Sequence, residues 1–124
     1  MSDSGDVRGR LLQSIWDQIR ALDASNVRNH AAAARAIASG ASSEDVVRAM
    51  RAASYEMAFG LLFSLSSEHV EEGNDDALTG WMLLEAHLLD SGEVVPNDNG
   101  ALDSLHESLL SGDPTGLEGR DLFT

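Results

Sequence analysis

The sequence predicts an all-α or predominantly α protein, a small bundle of about four to five helices. A short β-hairpin over residues 78–96 stands as the alternative for that stretch. Three observations predict this class. Apolar residues recur at three- and four-residue spacing through most of the chain, helix-forming residues abound, and only 2 prolines interrupt 124 residues. A chain of this length fits one domain, 1–124, able to bury roughly 65% of its unfolded-chain surface.

Residues 6–23 carry the clearest amphipathic pattern. Leu11, Leu12, Ile15, Trp16, Ile19 and Leu22 form one face, with Arg10, Gln13, Asp17 and Arg20 opposite. Asp6 is the expected N-cap. A second, alanine-rich helix spans 26–39, capped by Ser25 or Asn26 and stopped by Gly40. The third helix is expected over 43–70, with Ser42 and Asp45 close to a capping box. Val46, Met50, Ala53, Met57, Leu61 and Leu65 make its stripe, and from Met57 to Leu65 it is apolar nearly all round. Such a helix is surrounded by other elements or forms a dimer seam.

Glu71 to Asp76 reads as a loop that separates a neutral helical half, 1–70, from an acidic half, 71–124. Residues 77–90 read two ways. A helix fits good helix formers and a stop at Gly92, but it sets Glu85 within an apolar arc of Leu78, Trp81, Met82, Leu88 and Leu89. A strand gives Met82, Leu84, Ala86 and Leu88 one face, and an Asp-Ser-Gly turn leads to Glu93-Val94-Val95 as its partner. A short helix over 101–111 is expected to turn Leu102, Leu105, Leu109 and Leu110 inward and Asp103, His106 and Glu107 outward. Asp113-Pro114-Thr115-Gly116 has turn composition, and Leu117, Leu122 and Phe123 then pack back. Trp16 and Trp81 read as core, and Tyr55, near Arg48 and Arg51, as half-buried.

Charge is segregated. Residues 1–62 hold seven arginines and seven acids, whereas 63–124 hold Arg120 alone against fourteen acids, which accounts for the net −13. The acids of the second half alternate with core-forming leucines, so the pattern suits a folded surface of one sign better than a disordered tail. Direct nucleic-acid binding is disfavoured, because phosphate contacts need clustered cations. The longest apolar-plus-glycine run, Met57 to Phe63, is seven residues against the roughly 20 of a membrane span. The N-terminal residues Asp3, Asp6, Arg8 and Arg10 do not resemble a signal peptide, and no cysteine calls for an oxidising compartment. A cytoplasmic protein is expected.

The chain has no lysine and no cysteine, so phosphate-loop, Schiff-base and thiol chemistry are excluded. His106-Glu107 lacks a second histidine at 110, and Asn97-Asp98-Asn99-Gly100 lacks the flanking ligands of a calcium loop. Imidazoles and carboxylates remain: His69 with Glu68, Glu71 and Glu72, Glu85 with His87, and His106. A metal- or carboxylate-dependent hydrolase built on Glu85, His69, His87 and His106 is one expectation, and a structural homo-oligomer is another. The preferred one is a non-enzymatic module with no catalytic residue, cofactor or metal. It presents a nucleic-acid-like acidic surface, centred on Asp75, Asp76, Asp98, Asp103 and Glu107, to a basic partner. That partner class includes nucleic-acid-handling proteins, and inhibitors, antidotes and acidic chaperones share this physics.

Overall fold

The computed structural model describes residues 4–66, 70–72 and 78–124. Helix α1 runs Ser4–Ala21, a 3₁₀ turn Val27–Asn29 leads to α2 at Ala31–Ala38, and α3 spans Ser43–Ser64. Four strands follow: β1 Val70–Glu72, β2 Leu78–Gly80, β3 Leu83–Leu88 and β4 Val94–Leu102. Short 3₁₀ turns at Leu105–Ser108 and Arg120–Leu122 complete the described elements. β1 pairs antiparallel with β2, and β3 with β4.

This corrects the expected four-to-five-helix bundle: three helices are joined to antiparallel strands, a small mixed fold. The correction is sharpest at 77–90. Leu, Met, Ala and Glu favour helix by propensity, yet a helix there would bury Glu85 among leucines without a partner. As β3, the segment sets Glu85 beside Asn97, whose side-chain amide donates to its carboxylate. Gly92, at φ +89°, closes the five-residue connection, with Gly92 N–H donating to Leu89 O and Leu89 N–H to Glu93 O. β4 runs on to Leu102, past the expected end at 96. The helix expected over 101–111 shrinks to one 3₁₀ turn, because Ser104 takes a left-handed conformation at φ 54°, where no α-helix starts.

The helical half has its own correction. α3 opens as its spacing predicts, with Ser42 Oγ accepting the Asp45 N–H at 3.2 Å. It ends at Ser64 rather than 70, and its buried residues are Val47 and Leu62, not the Met50–Met57–Leu61 stripe. A helix apolar nearly all round offers two candidate stripes, and periodicity alone does not choose between them. Tertiary packing chose the one containing Tyr55, Ala58 and Leu62, set against α1.

The main core joins Leu12, Trp16 and Ile19 of α1 to Leu62 of α3 and to Leu105, Leu109 and Leu122 of the C-terminal segment. Val27, Ala33 and Val47 form a smaller cluster beneath α2. Trp16 is fully buried, and its indole N–H donates to Leu109 O at 2.7 Å. Arg51 reaches from α3 to the end of α1 and donates to Leu22 O at 2.8 Å and Arg20 O at 3.2 Å. A cation there complements the negative end of the helix. At the other end of α1, Arg8 donates to Asp103 O at 2.6 Å and Ser108 Oγ at 3.1 Å.

Gly119 shows how tight the C-terminal packing is. A Cβ there would lie 2.9 Å from Leu110 Cδ2 and 3.3 Å from Trp16 Cη2, and its φ is +72°. Gly119→Ala is therefore expected to cost about 1–3 kcal/mol in urea unfolding. Gly60, with open space at its Cβ position within α3, is the control: Gly60→Ala should be neutral or stabilise by roughly 0.5–1 kcal/mol.

Candidate functional site

The strongest polar construction in the molecule is a pair of carboxylates gripping one arginine. Arg20 sits one turn beyond Trp16, its guanidinium carbon 5.1 Å from the indole centre. It donates Nε to Asp113 Oδ1 at 3.2 Å and Nη2 to Asp113 Oδ2 at 2.7 Å, a two-pronged pair. Nη1 and Nη2 also reach Asp121, at 2.8 and 3.0 Å. Asp113 is buried and takes further hydrogen bonds from the N–H and hydroxyl of Thr115 and from Gly119 N–H. Burial, the largest single effect on the Asp113 carboxyl, pushes its pKa up. The bonds from Arg20, Gly119 and Thr115 together outweigh it and hold the carboxyl at about 2. The hydrogen bond from Arg20 likewise lowers Asp121.

This cluster takes two of the fourteen C-terminal acids out of the free surface. Sequence reasoning placed Arg20 on a solvated face and Asp113 in a turn, so it missed their meeting. A local signal existed: Asp-Pro-Thr-Gly is a motif whose aspartate folds back on its own backbone, and Trp16 and Arg20 share a helix face at four-residue spacing.

The expected partner-binding acids fare differently from one another. Asp75 and Asp76 lie outside the described residues, and of Asp98 only the backbone within β4 is described. Asp103 is half-buried, and its carboxylate accepts the Ser104 N–H at 2.9 Å. Glu107 is exposed on the 3₁₀ turn. Asp90, Glu93 and Glu118 are exposed as well, against Arg120 as the exposed arginine of this half.

The β3–β4 hairpin presents an apolar surface. β3 and β4 pair Leu84 with Ala101, Ala86 with Pro96, and Leu88 with Val94. All six residues share one face and all are exposed, Leu88 by 74% and Val94 by 62%. The opposite face turns Leu83 and Leu102 into the main core. Trp81, expected as core, is 68% exposed at the base of the hairpin, where it lines a cleft of about 330 Å³ with Leu65, Met82 and Leu102. A second apolar surface runs between α1 and α3, a groove of about 650 Å³ lined by Ile15, Ile19, Met57 and Leu61.

The candidate hydrolytic residues do not converge. His87 is exposed on β3, and Glu85 is half-buried against Asn97. His106, expected to point outward, is buried between the rings of Phe59 and Phe63, edge-on at 5.4 and 5.1 Å. His69 and Glu68 lie outside the described residues, and Glu71 and Glu72 belong to β1. Among the described residues no three histidine, aspartate or glutamate side chains gather as a metal site. Among them, too, no helix is long and apolar enough to cross a membrane. No protein-family model, curated protein or solved structure matches the chain.

Acid unfolding tests the Arg20 cluster. The folded Asp113 carboxyl, at about 2, lies below its unfolded value near ~3.9, so its contribution is complete above that value and disappears as pH falls through about 2. Urea midpoints should be level from pH 7 to about 5 and fall steeply below about 4. Asp113→Asn should cost about 2–3 kcal/mol at neutral pH and flatten that acid limb.

Proposed function

We propose that this chain is a non-enzymatic protein–protein interaction module whose acidic half docks on a basic partner. The observation that carries the reading is the pairing of surfaces on that half. Asp90 and Glu93 are exposed acids in the connection of the hairpin that presents Leu84, Leu88 and Val94 to solvent, and Glu107 and Glu118 are further exposed acids of the same half. Acids of one sign draw a basic protein in and set its orientation, and the apolar face supplies the desolvated contact that holds it. A basic partner that handles nucleic acid fits best, because a one-sign carboxylate surface offers what a phosphate backbone offers. Inhibitors, antidotes and acidic chaperones work in this way, and a cytoplasmic setting belongs to the same proposal.

The exposed groove between α1 and α3 favours a second reading, self-association through Met57 and Leu61, which are 73% and 58% exposed. One experiment separates the two. The intact protein is used to capture partners from its own host's lysate at low and at high salt, read by mass spectrometry. The first reading expects basic proteins, retained at low salt and released at high salt. A variant carrying Asp75→Asn, Asp76→Asn, Asp98→Asn and Glu107→Gln should lose them. At roughly 0.2–1 kcal/mol per charge, the four changes together should lower affinity by about fourfold to several hundredfold. Asp103 is left intact because its carboxylate caps the Ser104 N–H. Recovery of the chain alone would favour self-association, and a partner indifferent to salt and to the variant would end the acidic-surface reading.

A further inference from the structure

An antiparallel sheet with one face on the core ordinarily turns polar residues to water on the other. The β3–β4 hairpin departs from this: one face meets the core only through Leu83 and Leu102 and carries half-buried Glu85 and exposed His87 beyond them, while the other is apolar at each of its paired positions, Leu84–Ala101, Ala86–Pro96 and Leu88–Val94. Two strands alone are marginally stable in water and leave both outer edges open to a further strand. Among the described residues neither outer edge is paired.

The two edges are not equivalent. β4 contains Pro96, which has no N–H to donate, and its register jumps between the Ala86 and Leu84 pairings, where Gly100 sits at φ +80°. Such an edge offers no continuous ladder. β3 is six residues without proline, glycine or bulge in its own backbone run, so its amides can form a regular ladder.

Charge selects what can pair there. Residues 83–102 hold Glu85, Asp90, Glu93 and Asp98 and no arginine or lysine, and no cation stands anywhere between Arg51 and Arg120. A second copy would bring two chains of net −13 together and set like-charged strands side by side. A cationic segment meets the opposite sign. Side chains of an added strand alternate between faces, so one set extends the Leu84–Leu88 surface while the other lies on the Glu85 side.

We propose that the free edge of β3 accepts an extended segment of a basic partner as a third strand. Its apolar residues cover the solvent face beside Leu84 and Leu88, and its arginines or lysines alternate with them on the face of Glu85. This rests on the interaction-module reading and specifies how that module grips its partner.

A displayed library of short linear peptides, selected on the intact immobilised protein, tests it. Enriched peptides should alternate apolar and cationic residues with a period of two. Leu88→Glu, at an exposed position that folding does not need, should weaken them about tenfold through lost apolar contact, although it adds an acid. N-methylation of alternate amides should abolish binding in one register and leave it within about twofold in the other, since a strand bonds its neighbour through every second residue. Cationic peptides that bind Leu88→Glu as well or better, and tolerate N-methylation in both registers, would overturn strand addition and leave the acidic-surface reading standing. Enrichment of non-cationic peptides, or of none, would overturn both.

Discussion

The buried Asp113 carboxylate is the constraint on which the C-terminal half depends. It is tied at once to Arg20 on α1, to Thr115 in its own turn and to Gly119 four residues further on. One charge thus fixes the shape of the 113–119 turn and its position against the first helix. Trp16 lies alongside, stacked with Tyr55 at 5.9 Å, and Tyr55 meets Phe123 edge-on at 5.5 Å. An arginine laid over that indole is partly desolvated, which strengthens its attraction to both carboxylates. Removing either partner would strand a charge in a place water reaches poorly.

That anchoring decides which surfaces remain open. Leu105, Leu109 and Leu122 are drawn under α1 and α3, so the core is completed by the C-terminal segment and not by the hairpin. The hairpin touches the core through Leu83 and Leu102 and leaves its other face in water. Exposed apolar sheet surface of this kind is the feature on which the proposed docking rests. Under that proposal, the exposed hairpin acids Asp90 and Glu93 favour a basic partner over a second copy of the same acidic chain.

Much of the helical half was legible from spacing. Leu12, Trp16 and Ile19 are buried as their period predicts, and Ser42 caps α3. Less was legible where two physical signals compete. Met57 and Leu61 belong to a helix apolar on nearly every side, and only the arrival of the C-terminal leucines on the opposite face exposes them. Leu83–Leu88 has helix-forming composition, and the deciding contact, Asn97 on Glu85, spans twelve residues. Helical phase turns His106 outward, and a single left-handed residue, Ser104, resets that phase. The Arg20–Asp113 contact joins residues 93 apart, so local pattern gives the Asp113 turn and the Trp16–Arg20 face separately but not their meeting.

A double-mutant cycle on Arg20→Met and Asp113→Asn, read by urea unfolding at neutral pH, addresses the central claim most directly. If the pair organises the C-terminal half, the single costs will not add, and the coupling should be about 2 kcal/mol or more. Costs that add to within about 0.5 kcal/mol would show that the two residues act independently and that the anchoring lies elsewhere.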